Sequence, residues 1–226
     1  MEKPILFSGE MVKAILDGRK TQTRRVSGLE DINENPGIWN FKRYGELDFM
    51  TKKQYKGRYG AYFETKSIEQ NTLHICPAQC SFGKPGDRLW VRETWARYQN
   101  DPDIEGLKDY FPVIYKASYE DPDDFEGPWK PSIHMPRAAS RLTLEITEVR
   151  VERLQDISTE DSIAEGLIKL PASGRYVLQK GEQYAGLASN DPREVFARLW
   201  DSINAKKHPW DSNPWVWVIS FRRVEA

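Results

Sequence analysis

The chain has 226 residues, the length of one large domain or two small ones at roughly 100–200 residues each. Hydrophobic residues make up 39% and charged residues 30%, with a mean hydropathy of -0.69. Eight Trp, ten Tyr and nine Phe nevertheless exclude a wholly disordered chain. No apolar run approaches the roughly 18 residues of a membrane helix, so no membrane partner is expected. The start, Met1 to Ser8, has too short an apolar stretch for a signal peptide. Cys76 and Cys80 alone make no disulfide framework, and a cytoplasmic location is the expectation.

The formal net charge is -1, but it is unevenly placed. Between residues 101 and 127 stand nine acids against Lys108 and Lys116. The rest of the chain is therefore basic. Two readings stay open: a basic face suited to a polyanion, or a solvated acidic insertion with scattered basic residues.

In chain order, Ser8 is a suitable helix cap, and Met11, Val12, Ile15 and Leu16 follow at helical spacing. Gly18 ends that helix, because glycine takes the left-handed position without steric cost. Next comes Arg19-Lys20-Thr21-Gln22-Thr23-Arg24-Arg25-Val26, whose alternating threonines predict an extended segment. Residues 27–75 read as an insertion. Within 40–66, seven basic residues are interleaved with Phe41, Tyr44, Phe49, Tyr55, Tyr59, Tyr62 and Phe63. Such a mixture suits stacking on single-stranded nucleic acid or forms the core of a strand meander. A turn at Gly83–Asp87 leads into a strand at Arg88–Arg92. The segment 97–130 reads as a long excursion. A strand from Arg141 turns Leu142, Leu144 and Ile146 inward, and Val149, Val151 and Leu154 continue it after an irregularity.

Ser158 and Asp161 form a capping-box-like pair opening a short helix that Gly166 stops. Residues 168–190 read as a polar loop. Asp191 then caps a helix with Pro192 at its first position and Val195, Phe196, Leu199, Trp200 and Ile203 on one face. Trp215, Trp217, Ile219 and Phe221 share one side of a final strand. Short strands with three or so short helices and no βαβ rhythm predict an α+β fold around a small mixed β-barrel. The expected organisation is one domain over 1–226, with polar insertions near 27–75, 97–130 and 168–190.

His74, Cys76 and Cys80 form a His-x-Cys-x-x-x-Cys cluster to which His134 or His208 could add a ligand, but a second Cys-x-x-Cys pair is absent. Buried thiols are the plainer reading, and neither a metal nor a cofactor is expected. A Gly-x-Ser-x-Gly elbow, a phosphate loop and a dinucleotide glycine pattern are all missing. What remains is the Arg19–Arg25 cluster. A lysine beside a threonine hydroxyl can serve as a base once burial or a nearby cation depresses its pKa. A phosphate-binding basic turn explains the same residues.

The runs Leu16-Asp17-Gly18-Arg19-Lys20-Thr21-Gln22-Thr23-Arg24-Arg25, Pro85-Gly86-Asp87-Arg88-Leu89-Trp90-Val91 and Trp217-Val218-Ile219-Ser220-Phe221 resemble the ASCH domain family. With Ser132–Pro136 and Asp156–Gly166 added, the chain is similar to the longer ASCH proteins of phages and prophages. The resemblance implies a PUA-like β-barrel and an association with RNA. A small bacterial ASCH enzyme is an amidohydrolase that removes the acetyl group of N(4)-acetylcytidine with a lysine, a threonine and a glutamate. Its Gly-Arg-Lys-x-x-Thr motif matches Gly18 to Thr23 here, which implies Lys20 and Thr23 as catalytic residues. Its glutamate lands on Glu165.

The resemblance further implies that Thr23 attacks an acetyl carbonyl while Lys20 takes its proton and Glu165 positions Lys20. Arg25 or backbone amides would then stabilise the oxyanion. Arg19, Arg24 and Arg25 are the candidate nucleic-acid contacts, and the implied partner is a modified nucleoside or RNA, including single-stranded nucleic acid. Other ASCH folds are plain RNA binders or, in one case, a ribonuclease, and both alternatives stand beside the hydrolase.

Overall fold

The computed structural model describes residues 1–47, 58–66, 72–97, 113–119, 125 and 127–224. Its first half runs β1 (Glu2–Leu6), α1 (Gly9–Leu16), β2 (Gln22–Arg25), α2 (Glu30–Asn33), β3 (Asn40–Glu46), β4 (Tyr59–Lys66), β5 (Leu73–Gln79), β6 (Arg88–Arg92) and β7 (Trp95–Arg97). The second half adds β8 (Val113–Tyr115), β9 (Thr143–Arg153), α3 (Thr159–Ala164), β10 (Ile168–Lys169), β11 (Tyr176–Val177), α4 (Pro192–Asn204) and β12 (Trp215–Val224). The architecture is α+β, with four α-helices among the described residues. The extra helix, α2, is a single turn. No described helix is long and apolar enough to cross a membrane. Most of the acidic stretch 101–127 lies outside the described residues, as do Phe49 and Tyr55 of the aromatic-basic stretch.

Five strands form the main sheet in the order β1-β6-β9-β12-β2. β1 and β6 are parallel, and the other pairs are antiparallel. Between β9 and β12 the register shifts: Ser220 opposes Glu148 but Phe221 opposes Ile146. The bulge at Thr147 resets the alternation, as an extra residue in one strand must. Leu144 and Ile146 before it and Val149 and Val151 after it consequently all enter the same core. The irregularity expected in that strand is therefore what keeps its inward face continuous.

Among the described residues this sheet stays open, whereas the strand pattern predicts a small closed barrel. Its edge strands β1 and β2 share no ladder. Instead the guanidinium of Arg25 on β2 donates to the Leu6 carbonyl at the end of β1 (2.9 Å). A side chain spans the gap that closure would require backbone to fill.

The principal core gathers Ile5, Phe7, Val12, Ile15, Leu89, Val91, Leu144, Trp217, Ile219 and Phe221. It also takes Leu29, Ile32, Ala61, Phe63 and Ala78 from the segment that reads as an insertion and the strand that follows it. There β3, β4 and β5 pair as an antiparallel sheet. Phe63 meets the Trp215 ring edge-on at 5.1 Å, so the meander, with its aromatics as core, is the arrangement found. The other side of β12 builds a second core, where Val216 and Val218 meet Leu154, Ile157, Phe196 and Trp200. Apolar residues on both faces make β12 the central wall of the molecule. Ile203, placed by periodicity on the inner face of α4, is 57% exposed, because that face has already left the sheet by the final turn.

Two capped helices set up the site. Ser8 Oγ accepts from the Met11 amide, and Gly18 leaves α1 at φ 73°. Ser158 Oγ accepts from the Asp161 amide at the start of α3, and Gly166 leaves it at φ 107°. Asp191 caps α4 through the Arg193 amide, with Pro192 at the first position. These are the stops and starts that the residue types predict.

Candidate functional site

The chain leaving α1 is held against that helix. The amides of Arg19 and Lys20 both donate to the Ala14 carbonyl, at 2.9 and 3.0 Å. Lys20 then forms an isolated antiparallel bridge with Glu165, and the Thr21 amide donates to the Ala164 carbonyl (2.9 Å). Arg19 adds a bond to the Gly166 carbonyl. Two helix exits far apart in sequence are thereby joined back to back. Their close approach depends on Gly166: a Cβ there would lie 2.8 Å from that of Ala14 and 3.1 Å from that of Lys20.

This junction brings two of the three predicted catalytic residues together. Lys20 Nζ donates to Glu165 Oε2 at 2.7 Å and to the Glu165 carbonyl at 2.9 Å. Both side chains are almost sealed from solvent, at 0% and 3% exposure. Burial pushes the Lys20 ammonium below its ordinary value. The Glu165 carboxylate pulls it back only in part, while Arg25 and Arg24 push it further down.

Thr23, the third residue, sits on β2 opposite Ile219 of β12 and is completely buried. Among the described residues its Oγ1 has no hydrogen-bond partner, and Lys20 does not bond to it. Strand alternation puts Thr23 on the same face as Arg25. The Arg25 guanidinium lies over the Phe7 ring at 5.1 Å, and Lys20 Nζ lies 5.7 Å from the same ring. Phe7 is the neighbour common to both cations. Burial lowers the Arg25 pKa, and Glu165 offsets that only in part.

Arg24, expected as a nucleic-acid contact, occupies the opposite face of β2 and turns inward to carboxylates. Its side chain has no exposed surface. Nε and Nη2 donate to Glu152 Oε1 at 2.9 and 2.5 Å, Nη2 to Asp161 Oδ2 at 2.9 Å, and Nη1 to Glu165 Oε1 at 3.0 Å. Burial opposes the charged form, but Glu165 and Glu152 outweigh it and raise the Arg24 pKa. Four of its five N–H donors are engaged in this way, and the side chain has no exposed surface from which to meet a phosphate. Arg19 and Arg25 keep partial exposure, although Arg19 is also drawn to Asp17 (2.9 Å).

The predicted triad thus lies inside a larger buried network. Arg150 pairs with Asp161, and its Nε lies 3.4 Å from Glu152 Oε2. Asp161 reads from sequence as half of a capping box, yet its carboxylate goes to Arg24 and Arg150 rather than back to the helix start. Glu152 and Arg150 carry one available signal: charges two apart on a strand whose other face turns Val149 and Val151 into the core. Beside Glu165 lies a pocket of about 40 Å³ lined by Ser8, Met11, Ala14, Leu178 and Leu199. It holds little more than a water molecule, and Thr23 does not line it.

Elsewhere, His74 on β5 is exposed and Cys80 just beyond the strand is buried. Burial raises the Cys80 thiol pKa, as expected of a structural thiol. Among the described residues no group of three His, Cys, Asp or Glu side chains converges as metal ligands would. A second buried ion pair stands apart from the site: Arg141 grips both oxygens of Glu93 at 2.9 Å and lies over the Tyr115 ring at 4.0 Å. Compared with models of protein families, with curated proteins and with solved structures, the chain matches none.

Proposed function

We propose that this chain is a PUA-like ASCH protein whose site deacylates the exocyclic amide of an N(4)-acetylcytidine-like modified base. The observation that supports this reading is chemical. A sealed lysine amine, held at 2.7 Å by a carboxylate and depressed in pKa by burial, stands in the same segment as a buried threonine hydroxyl that bonds to none of the described residues. A buried polar group without a partner costs about 1–3 kcal/mol, and a reactive role is one reason to retain it.

Once the closed site opens to admit the base, the deprotonated form of Lys20, which burial favours, takes the Thr23 proton as Oγ1 bonds to the acetyl carbon and the carbonyl electrons move onto oxygen. Collapse of that tetrahedral centre breaks the C–N bond, and the Lys20 ammonium returns the proton to the departing cytosine amine. Water then cleaves the acetyl-threonine ester to acetate, again with Lys20 as base. Arg25, facing the same side as Thr23, is placed to favour the developing oxyanion. A single such donor is worth roughly 2.7–4 kcal/mol in hydrolases. Glu165 fixes the amine throughout. The alternative of a basic turn that only contacts RNA phosphates is less well supported, because Arg24 is spent on carboxylates.

The test is to incubate the purified chain with N(4)-acetylcytidine and follow loss of the acetylated base by chromatography. Turnover abolished by Thr23→Val and by Lys20→Met is expected. Absence of turnover on N(4)-acylated cytidines, together with salt-sensitive RNA binding that weakens in Arg25→Ala, would replace the hydrolase with the binding module.

A further inference from the structure

We propose that Arg24 is a positioning residue that divides the two oxygens of Glu165, holding Oε1 so that Oε2 alone faces Lys20. The inference rests on the amidohydrolase reading for its consequence in turnover, but its geometry is independent of it. Oε1 receives Arg24 Nη1 at 3.0 Å, and Oε2 receives Lys20 Nζ at 2.7 Å. Glu165 follows the last residue of a six-residue helix, and its side chain has three torsions for the surrounding donors to fix.

The guanidinium itself cannot swing. Glu152 takes Nε and Nη2, and Asp161 takes Nη2. Phe196 backs it at 5.6 Å, and Arg150 braces both carboxylates from the far side. A planar fork with five fixed donors suits such three-way division, whereas an ammonium is a point charge. The charged groups facing Lys20 are Glu165 from the end of α3 and Arg24 and Arg25 from β2. If Glu165 is freed from Arg24, both of its oxygens can turn to Lys20, and the amine holds its proton to higher pH.

The experiment compares the full chain with Arg24→Lys and Arg24→Gln. Two measurements are made on each folded protein. One is the titration of Lys20 followed by carbon-13 NMR of labelled lysine, with Lys20→Met supplying the assignment. The other is the pH profile of kcat on N(4)-acetylcytidine. In both variants we expect the Lys20 titration and the acid limb of kcat to move up together by about one pH unit. We also expect kcat to fall about ten-fold or more at neutral pH, with KM changed by less than about two-fold.

A folded Arg24→Lys chain with wild-type titration and wild-type kcat overturns the proposal. So does a loss of kcat with the acid limb unmoved, which is what a merely structural role produces. Should Arg24→Gln not fold, Arg24→Lys decides alone. If the wild-type chain turns over no acetylcytidine, the functional reading fails, and the NMR titration still decides whether Arg24 governs the Lys20–Glu165 pair.

Discussion

Replacing Glu165 with Gln and Lys20 with Met, singly and together, probes the buried network most directly. Glu165→Gln strands Lys20, held at 2.7 Å with no exposed side-chain surface, and takes from Arg24 (3.0 Å) one of its three carboxylates. Removing one partner of a buried pair costs about 3–5 kcal/mol, because the other charge stays buried without compensation. At the roughly 2–4 °C per kcal/mol typical of chains of about 150–250 residues, that is a fall in melting temperature of about 6–20 °C. Lys20→Met costs far less, about 0–2 kcal/mol, because Glu165 keeps Arg24 and a methionine occupies similar volume without a charge to desolvate.

The double variant is therefore expected to be more stable than Glu165→Gln alone, since the Lys20→Met change removes the stranded ammonium. The sign with pH follows from linkage. Lys20 has a folded pKa below its unfolded value, so between the two values the unfolded chain binds more protons and stability rises with pH. Below the folded pKa the cost of the buried ammonium is complete. The deficit of Glu165→Gln should accordingly shrink as pH rises from neutrality toward the ordinary lysine range of about 10. Urea denaturation across that range measures it. Equal losses from the two single variants, or a deficit that grows with pH, would refute the reasoning.

Three further outcomes are expected. Thr23→Val removes a buried hydroxyl that bonds to none of the described residues, so stability should hold or rise by up to about 1 kcal/mol. Deacetylation, in contrast, should fall below detection; thermal melting and turnover on the same sample check the pair of effects. Gly166→Ala forces an L-residue to φ 107° with its Cβ 2.8 Å from that of Ala14. A loss of about 1–3 kcal/mol is expected from the strain alone, read as a lowered denaturation midpoint. Arg141→Ala leaves Glu93, which is 1% exposed, without its two guanidinium bonds, and about 3–5 kcal/mol should disappear in urea. A change under about 1 kcal/mol would show that water reaches Glu93.

The features legible in the residue string are local ones. Ser8, Gly18, Ser158, Gly166, Asp191 and Pro192 set the ends of their helices because caps and left-handed exits depend on the residue and its immediate neighbours. Alternation in the last strand assigns Trp217, Ile219 and Phe221 to one core face for the same reason. Outcomes that depend on distant segments are not legible in this way. A barrel reads as naturally from these strands as an open sheet, since closure depends on whether β1 and β2 meet, and here Arg25 bridges them instead. The segment from 27 to 75 looks like an insertion because its aromatics show no strong period, yet Phe63 and Ala61 enter the core through pairing of β3, β4 and β5.

The same division runs through the candidate site. Lys20 and Glu165 stand 145 residues apart, and their meeting is expected only through a family resemblance. Arg24, adjacent to Thr23 and chemically like Arg25, gives no sign of what lies on its side of the strand. Alternation turns neighbours to opposite sides, but the packing of the whole chain puts three carboxylates on one side and an aromatic ring on the other. Burial then decides the chemistry: with water excluded, the same arginine that would meet a phosphate at the surface becomes the counter-ion of a buried carboxylate network.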